Sequence, residues 1–326
     1  MKDAEFQPTE PVEGRRRLRA AVRWGLYPLL LVWVGGCLAY GLARPASLST
    51  VVIIKSGVMV PLLLVLEWLV PYQRRWSMTI RHLLRRDVVF IAMNGPTLAL
   101  LSYGLVLLSI DVAADRNGPL TGKPLWLQVV MGLLVFEALQ YSMHRFMHRG
   151  RGPVGHMAWR THSIHHLPQQ LYVVMHAVGH PFNAVIVRLV VQLLPLWVLG
   201  YDPEAVFVFS SISALHGTIS HLNLDMRAGW LNYVFVGPEL HRYHHGSAAY
   251  QGVNYAATLS VFDWALGTGC YRPGTPPQSL GLSVDEGYPG QHDPLAAARF
   301  PLSVRPVNGT RAPTHSRASI SARTRR

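Results

Sequence analysis

The chain contains few charged residues and few thiols. Only 14% of its 326 residues are charged, and its two cysteines, Cys37 and Cys270, lie far apart. A soluble domain carries about 25% charged residues, so this composition predicts a membrane protein. Two distant cysteines exclude a zinc–thiolate or iron–sulfur site within the chain and indicate no disulfide framework. The chemistry of the protein must therefore depend on other side chains.

Acidic residues are also scarce, and this leaves a formal net charge of +13. Such an excess is typical of proteins that bind nucleic acid, but the chain contains no recognisable nucleic-acid-binding module. Its arginines are concentrated at the two termini and in the loop 73–87. The positive-inside rule places such segments in the cytoplasm, next to anionic lipid. We therefore expect no nucleic-acid partner and predict that both termini are cytoplasmic.

Apolar runs predict an all-α membrane protein with about four transmembrane helices and a membrane hairpin. The four runs long enough to cross a bilayer lie at about 24–43, 49–71, 88–110 and 125–143. Two further runs, at about 182–200 and 203–220, are separated by Gly-Tyr-Asp-Pro, which is a turn signal. We expect these two runs to form a hairpin that leaves the bilayer on the side where it entered.

Histidine is frequent and is arranged in three clusters. The 16 histidines include H-R-F-M-H at 144–148, H-S-I-H-H at 162–166 and H-R-Y-H-H at 241–245. Residues three and four apart lie on one face of a helix, so each cluster is predicted to present its imidazoles in one direction. Imidazole is the commonest metal ligand and is mostly neutral at pH 7. Eight clustered imidazoles exceed what one tetrahedral zinc uses, so the pattern predicts two metal ions.

The predicted topology brings all three clusters to the same side of the membrane. The first cluster follows the fourth helix into the cytoplasm, and the hairpin returns the chain there before the third. We therefore predict that all three clusters are cytoplasmic. A metal transporter would place its ligands within the spans, near the midplane, which makes transport the weaker alternative. An all-nitrogen site suits iron, zinc or copper.

The order of the clusters resembles the fatty acid hydroxylase/sterol desaturase superfamily. The motifs that carry the resemblance are H-x3-H, W-R-x-H-x-x-H-H at 159–166, H-x-N at 221–223, P-x-x-H-R-x-H-H at 238–245, N-Y at 254–255 and F-D-W-A-L-G-T at 262–268. The resemblance implies a membrane-embedded oxygenase with two iron ions, although zinc is a possible occupant in a purified form. It also implies a cytoplasmic, histidine-rich helical cap over the bundle. It further implies nine metal ligands: His144, His148, His162, His165, His166, His221, His241, His244 and His245.

This resemblance covers about 125–275 and sets the expected domain boundaries. Residues 1–23 form a basic N-terminal tail, and 24–124 contain the first three transmembrane helices with their loops. Residues 125–275 form a di-metal catalytic domain. Residues 276–326 are rich in Pro, Ser and Arg, which predicts a disordered C-terminal tail.

Two more histidines are left open as ligands, His180 and His216. Some members of the family carry a histidine four residues before the His221 position, where this chain has Gly217 with His216 one residue earlier. Alignment of His216 with His221 would require a bulge or an unwound turn. His180 precedes a proline, as in some relatives, and a role in supporting the ligands or at a helix entry is an equal alternative. His176 and His180 are four residues apart, so they form a possible fourth pair.

Four polar residues are candidates to orient the ligands: Glu137, Asn223, Asn254 and Asp263. A metal-bound imidazole usually donates its remaining N–H to a carboxylate, a carbonyl or water, and this fixes its orientation. We expect these side chains to supply such partners in a second layer around the metal ions.

The resemblance implies the hydroxylation or desaturation of an unactivated C–H bond in a lipid, with O₂ and external electrons. Sterols, fatty acyl chains, ether lipids and carotenoids are all open as substrates. The chain has no credible flavin, haem or iron–sulfur motif, so we expect a separate ferredoxin or cytochrome, with its reductase, as electron donor. Arginines of the basic loop, Arg74, Arg75, Arg85 and Arg86, are candidates to dock it. The alternative enzyme is a zinc-dependent lipid hydrolase on the same scaffold.

Overall fold

The computed structural model describes residues 13–95, 118–247 and 252–303. Within these ranges the protein is helical, and its only β-structure is an isolated bridge between Gly246 and Leu280. The prediction of an all-α fold is therefore confirmed.

The helices are numbered here in chain order. They are α1 (Glu13–Ala43), α2 (Leu48–Leu69), α3 (80–95), α4 (Leu125–Arg149), α5 (Gly152–His166), α6 (Pro181–Leu199), α7 (Pro203–Ser220), α8 (Pro238–His244), α9 (Val261–Ala265) and α10 (Pro294–Arg299). Two of them contain a π-helical stretch, at Leu83–Asp87 in α3 and at Val187–Leu193 in α6. A short 3-10 helix, Val173–Ala177, lies between α5 and α6.

Four of the described helices are long and apolar enough to cross a membrane. They are Arg15–Ala43, Pro45–Leu69, Leu125–Arg149 and Pro181–Leu199. The first three correspond to the predicted first, second and fourth spans, and the last corresponds to the first arm of the hairpin. The predicted third span, 88–110, is helical at 88–95, and the rest of it lies outside the described residues. The prediction of a membrane protein with about four apolar helices is therefore confirmed.

Helix α4 extends further than its hydrophobicity predicted. It begins after Pro124 and ends before Gly150, so it continues six residues beyond the expected end at 143. Proline cannot donate to the preceding turn, and glycine is a poor helix former, so both boundaries follow from the local sequence. His144 and His148 consequently lie within the last two turns of the helix rather than after it.

The turn between α6 and α7 forms as its sequence indicated. Gly200 ends α6 with a φ of 63°, a conformation that favours glycine, and Pro203 occupies the first turn of α7. The carboxylate of Asp202 accepts hydrogen bonds from the Gln128 side chain at 2.6 Å and from the Gly122 amide at 3.2 Å. These bonds fix the hairpin turn to the start of α4.

The helices pack in a bundle in which α7 is central. Helix α7 contacts α1, α2, α4 and α8, while α5 packs against α4. One apolar cluster joins α1, α2 and α7 through Leu30, Leu63 and Ile219, each almost fully buried. Where such helices cross a bilayer, their association depends on van der Waals packing rather than on the release of water.

The segment after residue 275 differs from the predicted disordered tail. The Trp159 indole donates to the Tyr288 hydroxyl at 3.0 Å, and both rings pack with Phe90 and Phe300 in a buried cluster. The prediction is therefore wrong for 276–303, whereas 304–326 lies outside the described residues. Although the segment is rich in Pro, Gly and Ser, it also contains a few large apolar side chains. These side chains pack it against α5.

One arginine of the basic loop 73–87 does not have its predicted role. Arg86 is 1% exposed, and its guanidinium lies 2.7 Å from the Asp87 carboxylate and 2.5 Å from the Tyr172 hydroxyl. Arg74, Arg75 and Arg85 are exposed, as expected. Because Arg86 is bound within the protein, its assignment to a docking surface is wrong.

Candidate metal centre

The nine histidines proposed as ligands converge in two groups. In each group, one ring nitrogen from every residue lies within 4.8 Å of the others. The first group is His144, His148, His162, His166 and His244, and the second is His165, His221, His241 and His245. The groups share no residue, which agrees with two ion positions.

Two of the sequence clusters are divided between the groups. His162 and His166 belong to the first group, whereas His165 belongs to the second. His244 and His245 are divided in the same way. Successive residues of a helix are about 100° apart, so adjacent histidines point to different sides. The expectation that each cluster presents its imidazoles in one direction is therefore wrong for these two, since each cluster supplies side chains to both groups.

The distances between nitrogens match those between ligands of one ion. In the first group, His162 Nε2 lies 2.9 Å from His144 Nε2 and 3.1 Å from His166 Nε2. In the second, His221 Nε2 lies 3.1–3.2 Å from the Nε2 atoms of His165, His241 and His245. Metal–nitrogen bonds of about 2.1 Å at 90–109° place neighbouring ligand atoms about 3.0–3.4 Å apart.

Backbone carbonyls orient several of these rings. The Nδ1 atoms of His144 and His165 lie 2.7 Å from the carbonyls of Tyr255 and Val178, respectively. His244 Nδ1 lies 2.9 Å from the Val253 carbonyl. A carbonyl only accepts, so each Nδ1 donates its hydrogen and each Nε2 presents a lone pair.

The residues fit a bound cation. Among the described residues, His148 Nε2 and His244 Nε2 of the first group are buried without a hydrogen-bond partner. Converging lone pairs about 3 Å apart repel one another, and buried nitrogens without partners are costly. A metal ion at the centre of the first group removes both costs, and an ion in the second group removes the repulsion.

Burial keeps the imidazoles neutral. It lowers the pKa of six histidines outside the candidate spans well below its usual value: His162, His166, His221, His241, His244 and His245. It also lowers the pKa of His165, to about 4. Only the neutral imidazole binds a metal, so the site does not have to lose protons near pH 7.

A cavity of about 700 Å³ adjoins both groups. His144 and His162 of the first group line it, as do His165, His221 and His241 of the second. The opposite wall includes Asn94 of α3 and, from α6, Asn183, Val187, Arg188 and Gln192. A cavity of this volume accommodates a small molecule or part of a lipid.

Comparison with known proteins agrees with this geometry. The model of the fatty acid hydroxylase family matches residues 129–268, a range that contains all nine histidines. This segment is therefore similar to fatty acid hydroxylases, as the sequence motifs predicted.

Two curated relatives illustrate the match. Ornithine lipid hydroxylase OlsE of Rhizobium tropici is 35% identical over 148 residues, which is 44% of this chain and 42% of the relative. Sphinganine C4-monooxygenase 1 of Arabidopsis thaliana is 24% identical over 163 residues, 50% of this chain and 61% of the relative. The matched region thus spans less than two thirds of either relative. No solved structure matches the chain.

Two carboxylates in the matched segment, those of Glu137 and Asp263, accept hydrogen bonds from backbone amides rather than from an imidazole. The Glu137 carboxylate accepts from the amides of residues 257–259 at 2.7–2.9 Å. Asp263 accepts from the amides of Tyr255 and Ala256 at 2.8 and 3.0 Å. Both therefore fix the segment whose Tyr255 carbonyl orients His144, and they act on the ligand through this carbonyl.

The side chains of the two asparagines also bond to the backbone. Asn254 has a φ of 54°, and its side-chain amide donates to the carbonyls of Leu240 and Cys270, both at 2.8 Å. The Asn223 amide donates to the Gln73 carbonyl at 2.9 Å. The partners that hold the His144, His165 and His244 imidazoles are instead main-chain carbonyls, which sequence reasoning missed because every residue has one. His221 Nδ1 lies 2.9 Å from the Ser220 hydroxyl.

The structure brings neither His180 nor His216 into the two groups. His180 begins α6: its Nδ1 accepts from the Phe182 amide at 3.1 Å, and its Nε2 lies 3.0 Å from the Ala298 carbonyl. His216 Nδ1 lies 2.7 Å from the Val236 carbonyl. Of the alternatives left open for His180, the role at a helix entry agrees with its hydrogen bonds.

Sequence reasoning also missed Glu67 in α2. Its buried carboxylate accepts from the amide of Val173 at 3.1 Å and from that of Asn223 at 2.7 Å. It thereby joins the 3-10 helix to the turn that follows His221. A single acidic residue within an apolar span is the signal that would have found it, because such residues usually have a function.

Proposed function

We propose that this protein is a membrane-bound di-iron oxygenase that oxidises an unactivated C–H bond of a lipid. The observation that carries the proposal is the pair of buried, neutral histidine groups beside a cavity in a segment similar to fatty acid hydroxylases. We favour hydroxylation over desaturation because the two relatives are named as a hydroxylase and a monooxygenase. The proposed substrate class is a membrane lipid.

The two groups would each hold one iron ion. The five histidines of the first group would bind one ion, and the four of the second would bind the other. Iron accepts imidazole ligands readily. Bound iron supplies the activation of O₂ that an unreactive C–H bond requires.

The protein contributes position and exclusion of water. Carbonyls of Tyr255, Val178 and Val253 hold three ligands with Nε2 directed inward. The cavity lies between these histidines and α6, which is itself long and apolar enough to cross a bilayer. A lipid can therefore enter from the membrane and place a carbon atom beside the histidine groups without crossing water.

We propose that the site faces the cytoplasm, as the positive-inside rule indicates. Hydroxylation consumes O₂, two electrons and two protons, and yields the alcohol and one water. A separate ferredoxin or cytochrome, with its reductase, would supply the electrons. The exposed Arg74, Arg75, Arg81 and Arg85 form a basic surface that we propose as its docking site.

The test is oxidation of a lipid extract by the purified, iron-loaded protein in lipid nanodiscs, with ¹⁸O₂ and an electron donor. We expect one class of lipid to gain one ¹⁸O atom, and only when O₂ and the donor are both present. A His148→Ala variant should give no labelled product. Lipid cleavage that persists without O₂ would contradict the oxygenase and support the zinc-dependent hydrolase.

A further inference from the structure

A tenth histidine lies beside the second group, on its cavity side. His176 belongs to the 3-10 helix Val173–Ala177, and its side chain is exposed because it lines the cavity. Its ring centroid is 5.5 Å from that of His221. The corresponding distances from His221 to the other members of the second group are 4.4–5.0 Å. His176 is therefore only slightly farther from His221 than the members of the group are.

The imidazole of His176 occupies space that a glycine leaves open. A Cβ atom at Gly217 would lie 3.1 Å from His176 Cε1 and 3.5 Å from its Nε2. Gly217 is four residues before His221, the residue that caps α7, so both positions lie on the same side at the end of this helix. The ring of His176 thus occupies space that a side chain at position 217 would fill, beside His221.

The buried carboxylate of Glu67 sets the separation of these two histidines. It accepts from the amide of Val173, where the 3-10 helix of His176 begins, and from that of Asn223, two residues after His221. Among the described residues, the His176 imidazole has no hydrogen-bond partner. Its position is thus fixed through the backbone, while its nitrogens are free to bind an ion.

We propose that His176 is the fifth ligand of the second ion and binds it from the cavity side. The second group contains four histidines and the first contains five, so this ligand makes the two sites equal in number. The inference rests on the proposed function only in that it requires a metal ion at the second group.

The test compares metal binding by four proteins: wild type, His176→Ala, the double variant His176→Ala/Gly217→His, and His180→Asn as matched control. His180 lines the same cavity, but its nitrogens have other partners, and asparagine can still begin α6. Each protein is loaded with Fe²⁺ without oxygen, and iron per chain is measured during titration with a chelator. Co²⁺ loading adds a spectrum that reports coordination number.

We expect His176→Ala to bind its second ion at least tenfold more weakly and to change the Co²⁺ spectrum. Loss of even an indirect partner typically costs 10–100-fold in metal affinity. The histidine at position 217 should restore affinity, since it can direct an imidazole into the same space. The control should match the wild type.

Wild-type affinity for both ions in His176→Ala, or a loss that Gly217→His does not restore, would overturn the inference. If His176→Ala fails to fold, His176→Gln preserves most of the volume and is judged by the same criterion. A wild-type protein that binds no second ion would instead contradict the proposed function, so the two failures are distinguishable.

Discussion

At the scale of residues, one carboxylate helps to position His144, a histidine that it does not contact. Glu137 is fully buried and accepts three backbone hydrogen bonds from the segment that follows Tyr255. Glu137→Ala would leave those three amides without partners. We expect it to destabilise the protein by about 2–4 kcal/mol, measured by thermal unfolding in detergent, because unpaired buried donors are costly.

Glu204→Gln is the matched control. Glu204 is partly exposed in the first turn of α7, so its loss should cost about 0.5 kcal/mol or less. If both variants unfold at the wild-type temperature, Glu137 does not have the structural role assigned to it.

The residues that could be predicted are those whose side chains carry the chemistry. The nine histidines were identified because imidazoles at fixed spacing are improbable by chance and because the family motifs select them. The carbonyls of Tyr255, Val178 and Val253 have no such signature. His176 was visible only as one member of a possible pair, since its proximity to His221 depends on Gly217 and on the fold.

At the scale of elements, the short helices α5 and α8 connect the two groups. Each supplies histidines to both, since adjacent histidines point in different directions. The spacing of the histidines predicted these two helices, but it did not predict how their side chains divide between the two groups. The hairpin turn was predictable because Gly200 and Pro203 favour one local geometry. The segment 276–303 was not, because its packing depends on a few large side chains that contact α5.

The exposed basic surface provides the prediction at this scale. Replacement of Arg74, Arg75 and Arg85 by Glu should lower donor-dependent turnover at least tenfold and weaken its dependence on salt. The charges steer association but lie outside the metal groups, so iron content should not change. Turnover is measured against donor concentration at two ionic strengths.

Arg44→Glu is the control for a general effect of charge, because Arg44 follows α1 and packs over Tyr40 instead of belonging to this surface. Unchanged turnover in the triple variant, at low salt and limiting donor, would rule out this surface as the docking site.

At the scale of the whole molecule, the fold brings nine histidines from distant parts of the chain together in two groups. The all-α class followed from composition and hydrophobic runs alone. The match to the family covers the region that contains both groups, and α1 and α2 lie outside it. Even so, α2 contributes Glu67, so the site extends beyond the matched domain. Contacts of this kind connect distant parts of the chain and leave no local pattern in sequence.

The most direct test of two separate ions is iron content in single variants. We expect about two irons per chain in wild-type protein purified without oxygen, and about one in both His148→Ala and His245→Ala. The first variant removes a ligand of the first group and the second removes one of the second. A single zinc ion per chain in the wild type, with no iron, would contradict the account.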